Sequence, residues 1–374
     1  MKERLSIGKK LLLIGFGLAV GSLLSFIVWH VFITVAPPPR KIVAADHAEL
    51  KQQLDDNPKA MFQFDEDISF RLKPNFTGIR YATQDAPHVT NSRGLLGAAE
   101  IDPDPAVRKI LFLGDSVTYG NGLPLETSFV SQMQQRAGSR FQLLNAGCPG
   151  WSTYQEIGFY NKCLRDVDWD LVVFVVCLND ILKYEWVYKQ GAGYEMAGEI
   201  EMAGEIAVRG ARTLEEIRLC ALRARFSADE KTQPLAKHHN GFITNWEDTR
   251  WPAYFDFLRP LVADPTRHPI MFAVLPTPYQ IDAEVLGAPA DVVYYPQGKI
   301  QEFCRQHNVP EWDGAPSLAA APDPRGARLF LDGCHLSAAG HEIVAVDLWQ
   351  TIHTLLDERD RSDIARKASK AGLR

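Results

Sequence analysis

A serine, an aspartate and a histidine carry the chemistry that this sequence suggests. Ser116 closes the run Gly114-Asp115-Ser116, directly behind the apolar stretch Lys109-Ile110-Leu111-Phe112-Leu113-Gly114. Near the other end, Asp332-Gly333-Cys334-His335 puts a carboxylate three residues before an imidazole. At that spacing Asp332 can orient the ring of His335 within one loop, and an oriented imidazole can take the proton of a serine hydroxyl. Ser116 alone reads equally well as a helix N-cap. Two more segments point the same way. In Asn145-Ala146-Gly147-Cys148-Pro149-Gly150, glycine lets backbone approach a ligand and offer an N–H. In Asn179-Asp180, a side-chain amide can donate to a developing oxyanion.

The elements that must position these residues alternate between two periodicities. Buried parallel strands read as short continuous apolar runs. Such runs occur at 109–114, 141–145, 171–176, 269–275 and 309–313. Helical segments are predicted at 125–137, 153–165, 295–307 and from Ser337 to about Glu358. Strands alternating with helices predict an α/β fold, a three-layer doubly wound parallel sheet. Ligands in such sheets bind at the carboxyl ends of the strands, where all four segments above fall.

These blocks, in this order, resemble the SGNH/GDSL hydrolase family: Gly114-Asp115-Ser116, Gly150, Asn179-Asp180 and Asp332-x-x-His335. The resemblance covers about 107–357 and implies a flavodoxin-like fold and ester hydrolysis through an acyl-enzyme, without metal or cofactor. It implies Ser116 as nucleophile, His335 as general base and then acid, and Asp332 as the residue that orients His335. The implied oxyanion hole is the Ser116 N–H, the Gly150 N–H and the Asn179 side chain. One block departs: the family's Gly-x-Asn-Asp is Cys177-Leu178-Asn179-Asp180 here. Cys177 either narrows the site or packs beneath it. Asp115 and Asp180 read as structural caps, and His341 as a packing or capping residue. Cys148 and Cys334 would be neighbours across the site, as a disulfide or as two packing thiols.

Around this domain, expected at 107–358, further segments are expected. A cytoplasmic tail spans 1–10, and an apolar stretch at 11–36 is long enough to cross a bilayer as a transmembrane helix. Lys2, Arg4, Lys9 and Lys10 precede it and Pro37-Pro38-Pro39 ends it, so the basic flank stays inside and the remainder goes out. The alternative is a signal peptide cleaved after Thr34-Val35-Ala36; the apolar run is too long for one. A short helix or stalk is expected within 37–60, a β-like accessory lead-in at 61–106 and a polar tail at 359–374. The lead-in's Asn91-Ser92-Arg93-Gly94 also resembles bacterial membrane-bound members of the family. An insertion at 184–248 holds a tandem hexapeptide, Glu195 to Ile200 and Glu201 to Ile206, either a tolerated surface duplication or a lid.

Composition excludes other classes. The net charge is −6, with no basic block of the kind that binds nucleic acid. No C-x-x-C pair or H-E-x-x-H helix suggests zinc. The expected partners are an acyl-ester substrate, with envelope or secreted carbohydrate as one acceptor, and the membrane through 11–36. Lipase, lysophospholipase or thioesterase activity is an alternative, as is non-catalytic binding of acylated glycans. Trp151, Trp246 and Trp251 are either a sugar-stacking surface or core residues.

Overall fold

The computed structural model describes residues 47–57, 61–80, 86–178, 251–264, 268–278, 280–281, 294–322 and 329–370. The segment at 11–36, the insertion at 184–248, Trp246, Asn179 and Asp180 lie outside these residues. Among the described residues no helix is long and apolar enough to cross a membrane.

Helix α1 (His47–Asp55) leads into two antiparallel hairpins, β1 (Phe62–Asp65) with β2 (Ser69–Leu72) and β3 (Thr77–Ile79) with β4 (Pro87–Val89). The central sheet is formed by β5 (Arg108–Gly114), β6 (Phe141–Gly147), β7 (Leu171–Cys177), β8 (Ile270–Leu275) and β9 (Glu311–Asp313). All pairings are parallel and the order is β6-β5-β7-β8-β9. The chain therefore runs outward from β5 in one direction, returns, and runs out in the other. The crevice at the carboxyl end of β5 is the switch point of a doubly wound sheet.

Alternate side chains of each strand enter opposite cores. Leu111, Leu113, Val172, Phe174, Phe272 and Val274 pack on one face, with residues of α4 (Thr153–Phe159), α5 (Trp251–Ala263) and α6 (Tyr295–His307). Ile110, Phe112, Val173, Val175, Met271 and Ala273 pack on the other, with α3 (Phe129–Ala137), α7 (Ala315–Ala319) and α8 (Ala338–Lys370). Both faces are covered, which is why every residue of β7 and β8 is buried.

Several elements differ from expectation. The segment at 125–137 is a 3-10 turn, Leu125–Thr127, followed by α3, because the Ser128 side chain accepts from Ser131 N and starts a new helix. The helix expected at 153–165 is α4 continued by a π-turn, Tyr160–Leu164. Helix α8 runs to Lys370, well past Glu358, through a stretch with no proline. Arg108 pairs with Asp360 at 2.9 Å and helps hold that extension to the body. Residues 47–55 form the short helix that was one reading of this segment, and they do not stand clear as a stalk: Leu50 and Leu54 are buried in the core.

Candidate active site

Ser116 opens α2 (Ser116–Tyr119), a single helical turn directly behind β5. Asp115 caps it, its Oδ1 accepting from Val117 N at 2.8 Å. This is the structural role expected of Asp115. Asn145 Nδ2 donates to Thr118 O at 2.8 Å from the end of β6. Sequence reasoning missed that tie; its only signal was an asparagine inside the buried stretch Leu143 to Gly147 of the strand.

His335 comes from the loop that precedes α8. Its Nε2 lies 2.8 Å from Ser116 Oγ and its Nδ1 lies 2.7 Å from Asp332 Oδ2. The other oxygen of Asp332 accepts from Cys334 N at 2.9 Å and from His335 N at 2.8 Å. The carboxylate thus fixes its own loop as well as the ring. Burial alone would raise the Asp332 carboxyl. The charge and ring hydrogen bond of His335, with the two backbone donors, outweigh it and hold the group below its ordinary value. Nδ1 faces a carboxylate, so the ring proton belongs there and Nε2 is left to accept from the Ser116 hydroxyl. Ser116 and His335 are only 8% and 6% exposed, which strengthens both bonds.

Gly150 adopts a φ of 83°, which a side chain would strain. Its turn is closed by Trp151 N donating to Cys148 O at 3.3 Å and joined to the end of β5 by Cys148 N donating to Gly114 O at 3.1 Å. The loop is therefore fastened next to Ser116. The described residues bring Ser116, His335 and Asp332 into contact and anchor the loop of Gly150 beside them.

Other expected residues resolve differently. Cys148 and Cys334 are both free and buried, so the disulfide between them is not formed. They belong to cores on opposite faces of the sheet. Cys334 hydrogen-bonds Cys177 instead, and its sulfur lies 3.7 Å from His335 Nδ1. Cys177 is buried on the face of α8, beneath the acid–base loop. Trp151 and Trp251 are 1% and 2% exposed, so they are core residues and not a sugar-stacking surface. Trp151 donates to Phe70 O at 2.8 Å. His341 is buried, accepts at Nδ1 from Phe129 N at 3.2 Å and stacks on the Phe129 ring; burial pushes it down to about 3. It packs and caps, as expected. Among the described residues, the cluster of metal-ligating types is Asp332, Cys334 and His335, within 4.8 Å, and there His335 Nδ1 is already committed to Asp332.

Residues 112–343 match the GDSL-like lipase/acylhydrolase family. No curated protein matches the chain. Among solved structures it is similar to a lipase/acylhydrolase from Enterococcus faecalis, at 15% identity and a TM-score of 0.39, covering 66% of this chain and 95% of that one. It is also similar to a carbohydrate acetylesterase family member from Sinorhizobium meliloti, at 15% identity and a TM-score of 0.36, covering 67% and 100%. The native aryl esterase of M. smegmatis gives the same identity, coverage and TM-score. The family match spans more than half of the chain, and the chain belongs to the GDSL-like lipase/acylhydrolase family, as an ester hydrolase of the SGNH type.

Proposed function

We propose that the chain is a serine esterase in which Ser116 attacks the ester carbonyl and His335 takes its proton at Nε2. The observation that carries this reading is the pair of bonds made by His335, to Ser116 Oγ at 2.8 Å and to Asp332 at 2.7 Å. Asp332 keeps the proton on Nδ1 and stabilises the imidazolium as it forms. The tetrahedral oxyanion is held by the N–H groups of Ser116 and Gly150 and by the side chain of Asn179. His335 then gives its proton to the leaving alcohol, and water enters by the same route to release the acid. The substrate class is the O-acylated carbohydrate of the cell envelope or of secreted polysaccharide, and the acyl group is acetyl. This part rests on location: a domain held outside the cytoplasm by an anchor at 11–36 meets such polymers first. The test is a panel of acetylated oligosaccharides, lysolipids and acyl thioesters at equal concentration. The reading expects acetate release from the sugars, fastest of the three classes, and none from Ser116→Ala. Faster turnover of lysolipids or thioesters would assign the enzyme to another substrate.

A further inference from the structure

Arg80 stands one residue past β3, on the lead-in and outside the family match at 112–343. It is 1% exposed, among the most buried large side chains in the molecule. Its Nε donates to Leu123 O at 2.7 Å, and its Nη2 donates to Gly120 O at 3.2 Å and to Tyr119 O. The guanidinium lies 3.9 Å from the centroid of the Tyr119 ring. Its Nη1 is buried and has no hydrogen-bond partner among the described residues. A buried cation is costly unless dipoles or anions surround it. Here the dipoles are carbonyls at the carboxyl end of α2 and in the turn that follows, the end of a helix that favours a cation. The opposite strand of the same hairpin reaches the same residue, with His88 Nδ1 3.0 Å from the Tyr119 hydroxyl.

Helix α2 needs such ties. A single turn of helix fixes more torsions than its few hydrogen bonds repay, so it does not hold its own shape. Asp115 holds the amino end and Asn145 holds Thr118. Arg80 is the tie at the carboxyl end. The turn it grips also abuts the acid–base loop: a Cβ added at Gly122 would come within 2.8 Å of Leu331 Cδ1. Leu331 N in turn donates to His335 O at 2.7 Å. The grip of Arg80 thus reaches both segments whose side chains must meet.

We propose that Arg80 is a positioning residue for hydrolysis, a statement that rests on the reading of Ser116 as the nucleophile. From the lead-in it anchors the carboxyl end of α2 and so sets the approach of Ser116 Oγ to His335 Nε2. A small displacement of reacting groups lowers the rate without weakening substrate binding. Lysine cannot substitute, because one ammonium cannot serve the Leu123 carbonyl and those of Tyr119 and Gly120 together as the guanidinium fork does.

The experiment uses the full chain and a p-nitrophenyl ester, with kcat, KM and Tm measured for four variants. Arg80→Lys should lower kcat about tenfold or more with KM within about twofold, and Arg80→Gln, which is neutral, should lower it further. Leu54→Ala, which removes core volume at α1 and none of the hydrogen bonds that hold α2, should lower Tm and leave kcat unchanged. Ser116→Ala should be inactive. The inference is overturned if both Arg80 variants keep kcat within twofold, or if Leu54→Ala loses as much kcat as they do. Should Ser116→Ala retain activity, the nucleophile reading fails and this one with it. Inactive Ser116→Ala beside fully active Arg80 variants removes only the role of Arg80.

Discussion

At the scale of single residues, the site was legible where chemistry restricts the choice of side chain. Ser116 directly follows β5, Asp332 and His335 share the loop before α8, and few residue types serve as nucleophile, base and orienting group. What spacing did not reveal is which thiol meets which. Cys148 and Cys334 fall on opposite faces of the sheet, and a sequence without strand parity hides that. Cys177 takes the place of the family's glycine, yet its side chain points into the core beneath the loop of His335. It should therefore matter for packing more than for chemistry. Cys177→Gly should keep kcat within roughly tenfold, since what is lost is core volume and the hydrogen bond with Cys334. Asn179→Ala should lower kcat about a hundredfold with little change in KM, because its amide acts on charge that develops in the transition state. Steady-state kinetics of both on short and long acyl esters checks the assignment. A silent Asn179→Ala beside an inactive Cys177→Gly would reverse it.

At the scale of elements, the sheet was legible because strands covered on both faces are continuous apolar runs. Helix α5 was not, since Pro252 and Pro260 interrupt a pattern that Trp251, Tyr254, Leu258 and Leu261 otherwise show. The break before α3 was hidden by the run Leu125 to Phe129, in which only Ser128 marks the new N-cap. Elements are also joined by buried neutral histidines. His341 of α8 accepts from the first N–H of α3, and His88 of β4 meets Tyr119 of α2. Burial, followed by the positive charge of Arg80, lowers His88 to about 4, and burial lowers His341 to about 3. Both native values lie below the ordinary 6.5, so the unfolded chain binds protons first. Their stabilisation is complete above pH 6.5 and is lost as pH falls through 6.5 towards 4 and 3. Each tenfold difference in proton affinity between the folded and unfolded chain is worth about 1.4 kcal/mol, so the loss amounts to several kcal/mol. Urea unfolding at pH 7.5 and pH 5 should show a clear drop at the lower pH. His341→Gln should show a smaller drop than the native chain, and an equal drop would refute the assignment.

At the scale of the whole molecule, the lead-in is part of the catalytic body. Leu96 N donates to Asn145 O at 2.8 Å, Arg93 pairs with Asp166 at 2.8 Å, and Arg80 reaches α2. A β-like lead-in was legible from its turns, but its grip on the end of α2 was not, because one arginine in a hairpin carries no periodic signal. The anchor at 11–36 is a proposal of the same scale. A reporter active only outside the cytoplasm should work after Arg374 and fail before Leu11, and the chain should resist a high-salt wash of membranes. A soluble form beginning at Pro37 would show a cleaved signal instead. The central claim is that folding brings Ser116 to His335 across 219 residues of sequence and makes its hydroxyl a nucleophile. Labelling with a fluorophosphonate tests this most directly, since Ser116 Oγ would displace fluoride and keep the phosphonyl group. One label per chain is expected, mapped to Ser116, lost in Ser116→Ala and slowed at least a hundredfold in His335→Ala, both variants remaining folded. Undiminished labelling or ester hydrolysis by Ser116→Ala would contradict it.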